Sequence, residues 1–156
     1  MKKVILCLLV LASITFSQPI EFWGGCTSEM TVEDVQLLHS QGEVVNTYYS
    51  KSDYTRYIIK DLTIGHGIHN VQFQFDSLTN KLSFIRLVAL SPSEIAFESI
   101  FELLVIKYGK PLIKTSCNVI WIVNGAEINL FFLHSRITNK TIQGVLYKPA
   151  PDTGLL

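Results

Sequence analysis

Two hydrophobic periods divide this chain. The clearest helical one lies in residues 91–111, where Phe97, Ile100, Phe101, Leu104 and Tyr108 recur on one face and Leu103 and Val105 widen the stripe. Glu94, Glu98, Ser99, Glu102 and Lys107 lie off it. Ser91 and Glu94 form a candidate capping box, with Pro92 at the first helical position, where its missing N–H costs nothing. Gly109 can close the helix in a left-handed conformation, Lys107 and Lys110 complement the dipole, and Pro111 forbids continuation. Two phenylalanines on one face need a broad apolar partner, which a sheet supplies. Ile95 and Ile106 fall on the far side, leaving that face a candidate for partial cover. A shorter helix is predicted from Thr31, an N-cap with Asp34 three residues on and Met30 stapled to Val35, ending near Gly42.

Elsewhere the period is two. Residues 44–50 and 54–64 are rich in Val, Ile, Thr and Tyr and are separated by the turn Lys51-Ser52-Asp53. After the turn Gly65-His66-Gly67, Val71, Phe73 and Phe75 alternate with Gln72, Gln74 and Asp76, so one face is buried and one wet. A strand at 82–90 then delivers the chain to the long helix. Beyond it, Asn124-Gly125 favours a two-residue hairpin turn that fixes the register, with Val123 opposite Ala126 and Trp121 opposite Ile128. Cys117, Val119, Trp121, Ile128, Leu130 and Phe132 are thereby expected on the core face. Asn118, Ile120, Ile122, Glu127, Asn129 and Phe131 point the other way. The last strand is expected at 141–148, and residues 20–28 form a lead-in whose Phe22 and Trp23 pin the N-terminus.

These elements predict an α+β fold, an antiparallel sheet with helices on one face. Thr79-Asn80-Lys81 returns as Thr138-Asn139-Lys140, 59 residues on, and each half opens with a capped helix. A tandem α-then-strands repeat is therefore expected, over about 28–90 and 91–148.

Residues 1–17 stand apart. Met1-Lys2-Lys3 is basic, 4–14 is an apolar run too short to span a bilayer, and Thr15 and Ser17 are small residues placed for cleavage before Gln18. The expectation is a secretory signal peptide cut after Ser17, a single domain at 18–148, a loose tail at 149–156, and a secreted or periplasmic product. Cys7 lies inside the apolar run and would leave with it. Of the 13 Lys+Arg, Lys2 and Lys3 leave too, so 11 face 13 Asp+Glu and no basic stripe remains to hold nucleic acid. No second long apolar run follows, so no transmembrane anchor is expected after cleavage. Cys26 and Cys117 form a disulfide candidate that would close 91 residues and stabilise by about 4–5 kcal/mol. The alternative is two separately buried thiols.

Glu29-Met30-Thr31-Val32-Glu33-Asp34-Val35, with Gly42, resembles the helix opening of BamE-type outer-membrane assembly lipoproteins. Lys107-Tyr108-Gly109-Lys110-Pro111 resembles the helix ending of small exported proteins of that type. Two such units in tandem resemble the beta-lactamase inhibitor protein (BLIP-like) architecture. That resemblance implies helices on one face of a sheet and an open concave face that grips a partner protein. Here Glu29 stands where a glycine is usual and the lipidated cysteine is lacking.

His66 and His69 are the only close histidine pair, with no acidic or cysteine partner placed nearby in sequence, so a solvated turn is favoured over a metal site. No nucleophile elbow, phosphate loop, zinc-protease helix or paired-cysteine motif occurs. The chain is accordingly expected to be no enzyme and to hold no cofactor and no metal. What remains is aromatic and aliphatic surface. Tyr48, Tyr49, Tyr54 and Tyr57 crowd one hairpin, and Phe131, Ile120 and Ile122 face away from the core. The candidate binding residues are thus Tyr49, Tyr57, Ile120, Ile122 and Phe131, unless some of these rings fill a second small core. The functional expectation is an exported, non-catalytic protein that binds another macromolecule, a protein partner, through the open sheet face. An envelope structural or assembly component is the alternative, and a hydrolase with dispersed residues the remote one.

Overall fold

The computed structural model describes residues 19–47 and 54–151. The expected signal peptide, Tyr48, Tyr49, the turn at 51–53 and tail residues 152–156 lie outside the described residues. Among the described residues two α-helices, a single 3-10 turn at Trp23–Gly25 and one eight-stranded antiparallel sheet make up the regular structure, a mixed α+β architecture that is mostly sheet. In chain order the elements are α1 (Val32–Leu38), β1 (Glu43–Thr47), β2 (Tyr54–Ile64), β3 (Gly67–Phe75), β4 (Leu82–Ala89), α2 (Glu94–Tyr108), β5 (Ile113–Lys114), β6 (Asn118–Val123), β7 (Ala126–Ser135) and β8 (Lys140–Pro149). The strands lie side by side in the order β1-β2-β3-β4-β8-β7-β6-β5. Each helix thus precedes four strands, and the two sets of four meet where β4 pairs with β8.

Local chemistry fixes the helix ends. Thr31 and Asp34 form the expected capping box, and α1 stops at Leu38, short of Gly42. The start of α2 differs from the sequence expectation. Ser93, not Ser91, is the N-cap: its hydroxyl accepts from the Ala96 N–H at 3.1 Å, while its own N–H donates to Oε1 of the fully buried Gln143 at 2.9 Å. Gln143, on β8, therefore locates the start of α2 above the sheet, and the helix opens two residues late. Its other end is as predicted, with Gly109 at φ 76° and its N–H on the Val105 carbonyl.

One face of α2 buries Ala96, Phe97, Ile100 and Leu104. Phe97, Ile100 and Leu104 join a single core with Tyr57, Ile59, Phe73, Ile85, Leu87, Trp121, Ile128, Leu130 and Tyr147 from the sheet and Val32 and Val35 from α1. Trp121 lies beside Phe101, rings 6.1 Å apart, and its indole N–H donates to the Gly109 carbonyl at 2.9 Å. Both helices therefore cover the same face of the sheet. The outer side of α2 is not covered: Ile95 and Ile106 are exposed among the described residues.

The Asn-Gly hairpin has the predicted register, Val123 on Ala126 through Asn118 on Phe131. Asn80 and Asn139 of the echoed tripeptides both take left-handed backbone, at φ 54° and 50°, in the β3–β4 and β7–β8 turns. A shared turn conformation that asparagine tolerates explains why the same residues recur there. Strand β5 has no counterpart in the sequence reading, because two residues are too few to show a period.

The cysteine pairing does not form. Cys26 and Cys117 are both free, the first buried and the second exposed. The Cys26 carbonyl accepts from the Phe22 N–H in a short turn that carries the thiol inward, against the α1 side of the core. Burial raises that thiol to a pKa of about 11. Cys117 was expected on the core face. Instead it is exposed: Thr115 Oγ1 accepts from the N–H groups of Cys117 and Asn118 in a turn at the start of β6, while the Cys117 carbonyl still accepts from the Phe132 N–H at 2.9 Å.

Candidate functional site

The face opposite the helices is built by alternation. Where Val71, Phe73 and Phe75 go to the core, Gln72 and Gln74 go to the other side, and the same holds on every neighbouring strand. One cross-strand row on that side runs over all eight strands: Glu43, Ile58, Gln72, Arg86, Leu146, Asn129, Ile120 and Ile113. The next row holds Asn70, Val88, Gly144, Phe131 and Asn118. Neither helix reaches these residues. Together they shape a concavity of about 800 Å³, walled by Val88, Phe131, Leu133, Ile142 and Leu146 and edged by Gln72, Arg86, Asn118 and Asn129, with Cys117 at its rim.

Gly144 sits at its floor. A Cβ there would lie 2.1 Å from the Leu87 carbonyl oxygen and 3.0 Å from the Phe131 ring, so glycine lets β8 approach β4 and gives the ring a seat.

The charges of this face are unevenly matched. Glu127 is held by Lys148 at 3.2 Å, and Glu43 by Lys60 at 2.5 Å. Arg86 is exposed, stacks over Phe84 at 5.5 Å, and has no carboxylate within ion-pair distance among the described residues. The Oδ1 atoms of Asn118 and Asn129 are buried without a hydrogen-bond partner among the described residues. A face with exposed aliphatic side chains, a guanidinium that no described carboxylate pairs and two buried amide oxygens offers contacts to a ligand.

Of the sequence-nominated residues, Ile120, Ile122 and Phe131 do stand on this face. Tyr57 does not. Its register on β2 turns it to the core, where it is 1% exposed, donates to the His39 carbonyl and accepts from the Gly42 N–H at 2.8 Å. It fastens the end of α1 and cannot meet a partner. Tyr49 lies outside the described residues. Arg86, Leu146 and Ile142 are not among the nominated residues, although the alternation of Phe84, Arg86 and Val88 with Ile85, Leu87 and Ala89 already separates Arg86 from the core set.

The histidines do not converge. His66 is exposed in its turn, with its backbone N–H on Ser99 Oγ at 3.1 Å, whereas His69 is buried at 1% exposure. Desolvation pulls His69 below the ordinary imidazole range, against a weaker upward pull from a hydrogen bond to the Gly67 backbone. His39 stacks on Trp23, and His134 Nδ1 lies 3.1 Å from Thr141 Oγ1. Among the described residues no three His, Cys, Asp or Glu side chains gather to hold a metal ion, and no helix is long and apolar enough to cross a membrane.

Comparison with protein-family models, curated proteins and solved structures gives no match to this chain.

Proposed function

We propose that this chain is an exported, non-catalytic protein that binds another protein through the open face of its sheet. The observation that carries the reading is the bare face itself: both helices cover one side, and the other presents a row of side chains across eight strands around a shallow concavity. Apolar patches bounded by polar groups mark interaction surfaces. The order of one helix and four strands, twice over, with left-handed asparagines in matching turns, supports reading the chain as a BLIP-like tandem repeat. The basic start and short apolar run of residues 1–17 support export.

Affinity capture from the exported fraction of the source cell, with wild type and a Phe131→Asp, Ile120→Asp double variant, tests this. The double variant is expected to lose the captured protein; an undiminished capture by a folded variant would remove the face as the binding site. A mature N-terminus at Gln18 without lipid, read by mass spectrometry, is the accompanying expectation. A lipid-modified or uncleaved N-terminus would favour an envelope component instead.

A further inference from the structure

Resting on the binding face proposed above, we infer that its ligand is a peptide segment of the partner carrying a carboxylate flanked by large apolar side chains, with the carboxylate seated on Arg86. Three observations converge on that chemistry.

Charge comes first. The carboxylates of the face, Glu43 and Glu127, are already taken by Lys60 and Lys148. Arg86, near the middle of the sheet, lies over the Phe84 ring and has no carboxylate within ion-pair distance among the described residues. A guanidinium held against an aromatic face still offers its fork of N–H donors outward, and a carboxylate matches that fork in two hydrogen bonds.

The apolar wall comes next. Leu146 is the direct cross-strand neighbour of Arg86, and Ile142 and Phe131 continue the wall along β8 and β7. A carboxylate that reaches Arg86 must therefore bring apolar neighbours with it, since a fully hydrated acidic segment would strip water from this wall without replacing it.

The third observation separates a peptide from an acyl-chain carboxylate. Asn118 and Asn129 each bury an Oδ1 with no donor among the described residues. A fatty acid has no N–H to give them. A peptide has one at nearly every residue.

Selection of a random dodecapeptide phage library against the immobilised mature protein tests this, with the enriched peptides then measured on Arg86→Gln and Ile142→Asp variants. Both positions are exposed, Ile142 at 49%, so neither change disturbs the core. The expected result is enrichment of Asp or Glu beside Leu, Phe or Trp. Affinity should fall about tenfold or more on Arg86→Gln, the size of one lost charge-assisted interaction, and binding should be lost on Ile142→Asp. Neutral or basic consensus peptides, or acidic ones that bind Arg86→Gln undiminished but fail on Ile142→Asp, would overturn the carboxylate inference and leave the face standing. Displacement of the peptides by sodium oleate at equal or better affinity would assign the face to an acyl carboxylate and overturn the peptide. No enrichment, or binding insensitive to both variants, would remove the face itself.

Discussion

Single residues already divide the thiols and the titratable groups into those that can respond to solvent and those that cannot. In the native mature protein a thiol reagent such as dithionitrobenzoate at pH 8 should modify Cys117 quickly and Cys26 only on unfolding, because burial both shields the latter and raises its pKa to about 11. Cys117→Ser should abolish the fast phase; an unreactive native protein that gains two thiols on reduction would instead demand a bridge. His69 supplies a pH dependence. Its folded-state pKa is depressed by desolvation, so between an unfolded value of about 6.5 and the lower folded one the unfolded chain binds more protons. Stability should therefore fall as pH is lowered through that window and level off below it. A urea midpoint that drops between pH 7.5 and 5, by less in His69→Gln than in wild type, is the expected result; equal drops would place the dependence elsewhere. Sequence does carry a signal that separates His66 from His69: His69 keeps the parity of Val71, Phe73 and Phe75 on β3 and so turns to the core, whereas His66 lies in the turn before the strand, a distinction lost when the pair is read as one solvated turn.

At the level of elements, caps and turns were legible and edges were not. The capping box at Thr31, the Gly109 stop and the Asn124-Gly125 hairpin each depend on residues within a few positions of one another, and all three appear as read. Thr31→Ala should cost about 1 kcal/mol, measured by chemical denaturation. The α2 start moved because its determinant, Gln143, lies 50 residues away on another strand. The Cys117 expectation failed in its side chain and not in its pairing: the carbonyl meets the Phe132 N–H, but the residue sits at the strand end beside the Thr115 turn, where the thiol is exposed. The sharpest element-level test is Gly144→Ala. Four residue pairs, Ile85 on Tyr147 to Val88 on Gly144, join β4 to β8 and so unite the two sets of strands. A methyl group pushed against the Leu87 carbonyl should cost about 3 kcal/mol, at the upper end of overpacking. A loss below about 0.5 kcal/mol would show that the strands give way easily.

For the molecule as a whole, sequence correctly placed the helices together on one face and Ile120, Ile122 and Phe131 on the other. It misplaced Tyr57, because β2 carries apolar residues at both parities, Tyr57 and Ile59 inward and Ile58 outward, and so gives no sign of which set faces the core. It also left out Arg86 and the β8 aliphatics, which join Phe131 on one face only once β8 pairs with β7 on one side and β4 on the other. The functional account depends on that second face being open to solvent in the isolated protein. Labelling rates of single cysteines in a Cys117→Ser background measure this directly, with Ile142→Cys and Leu133→Cys on the open face and Leu130→Cys and Leu104→Cys under the helices. The first pair should react within about tenfold of the unfolded chain and the second pair only on unfolding. Protection of Ile142→Cys and Leu133→Cys equal to that of Leu130→Cys would show the face already covered, and would contradict the account.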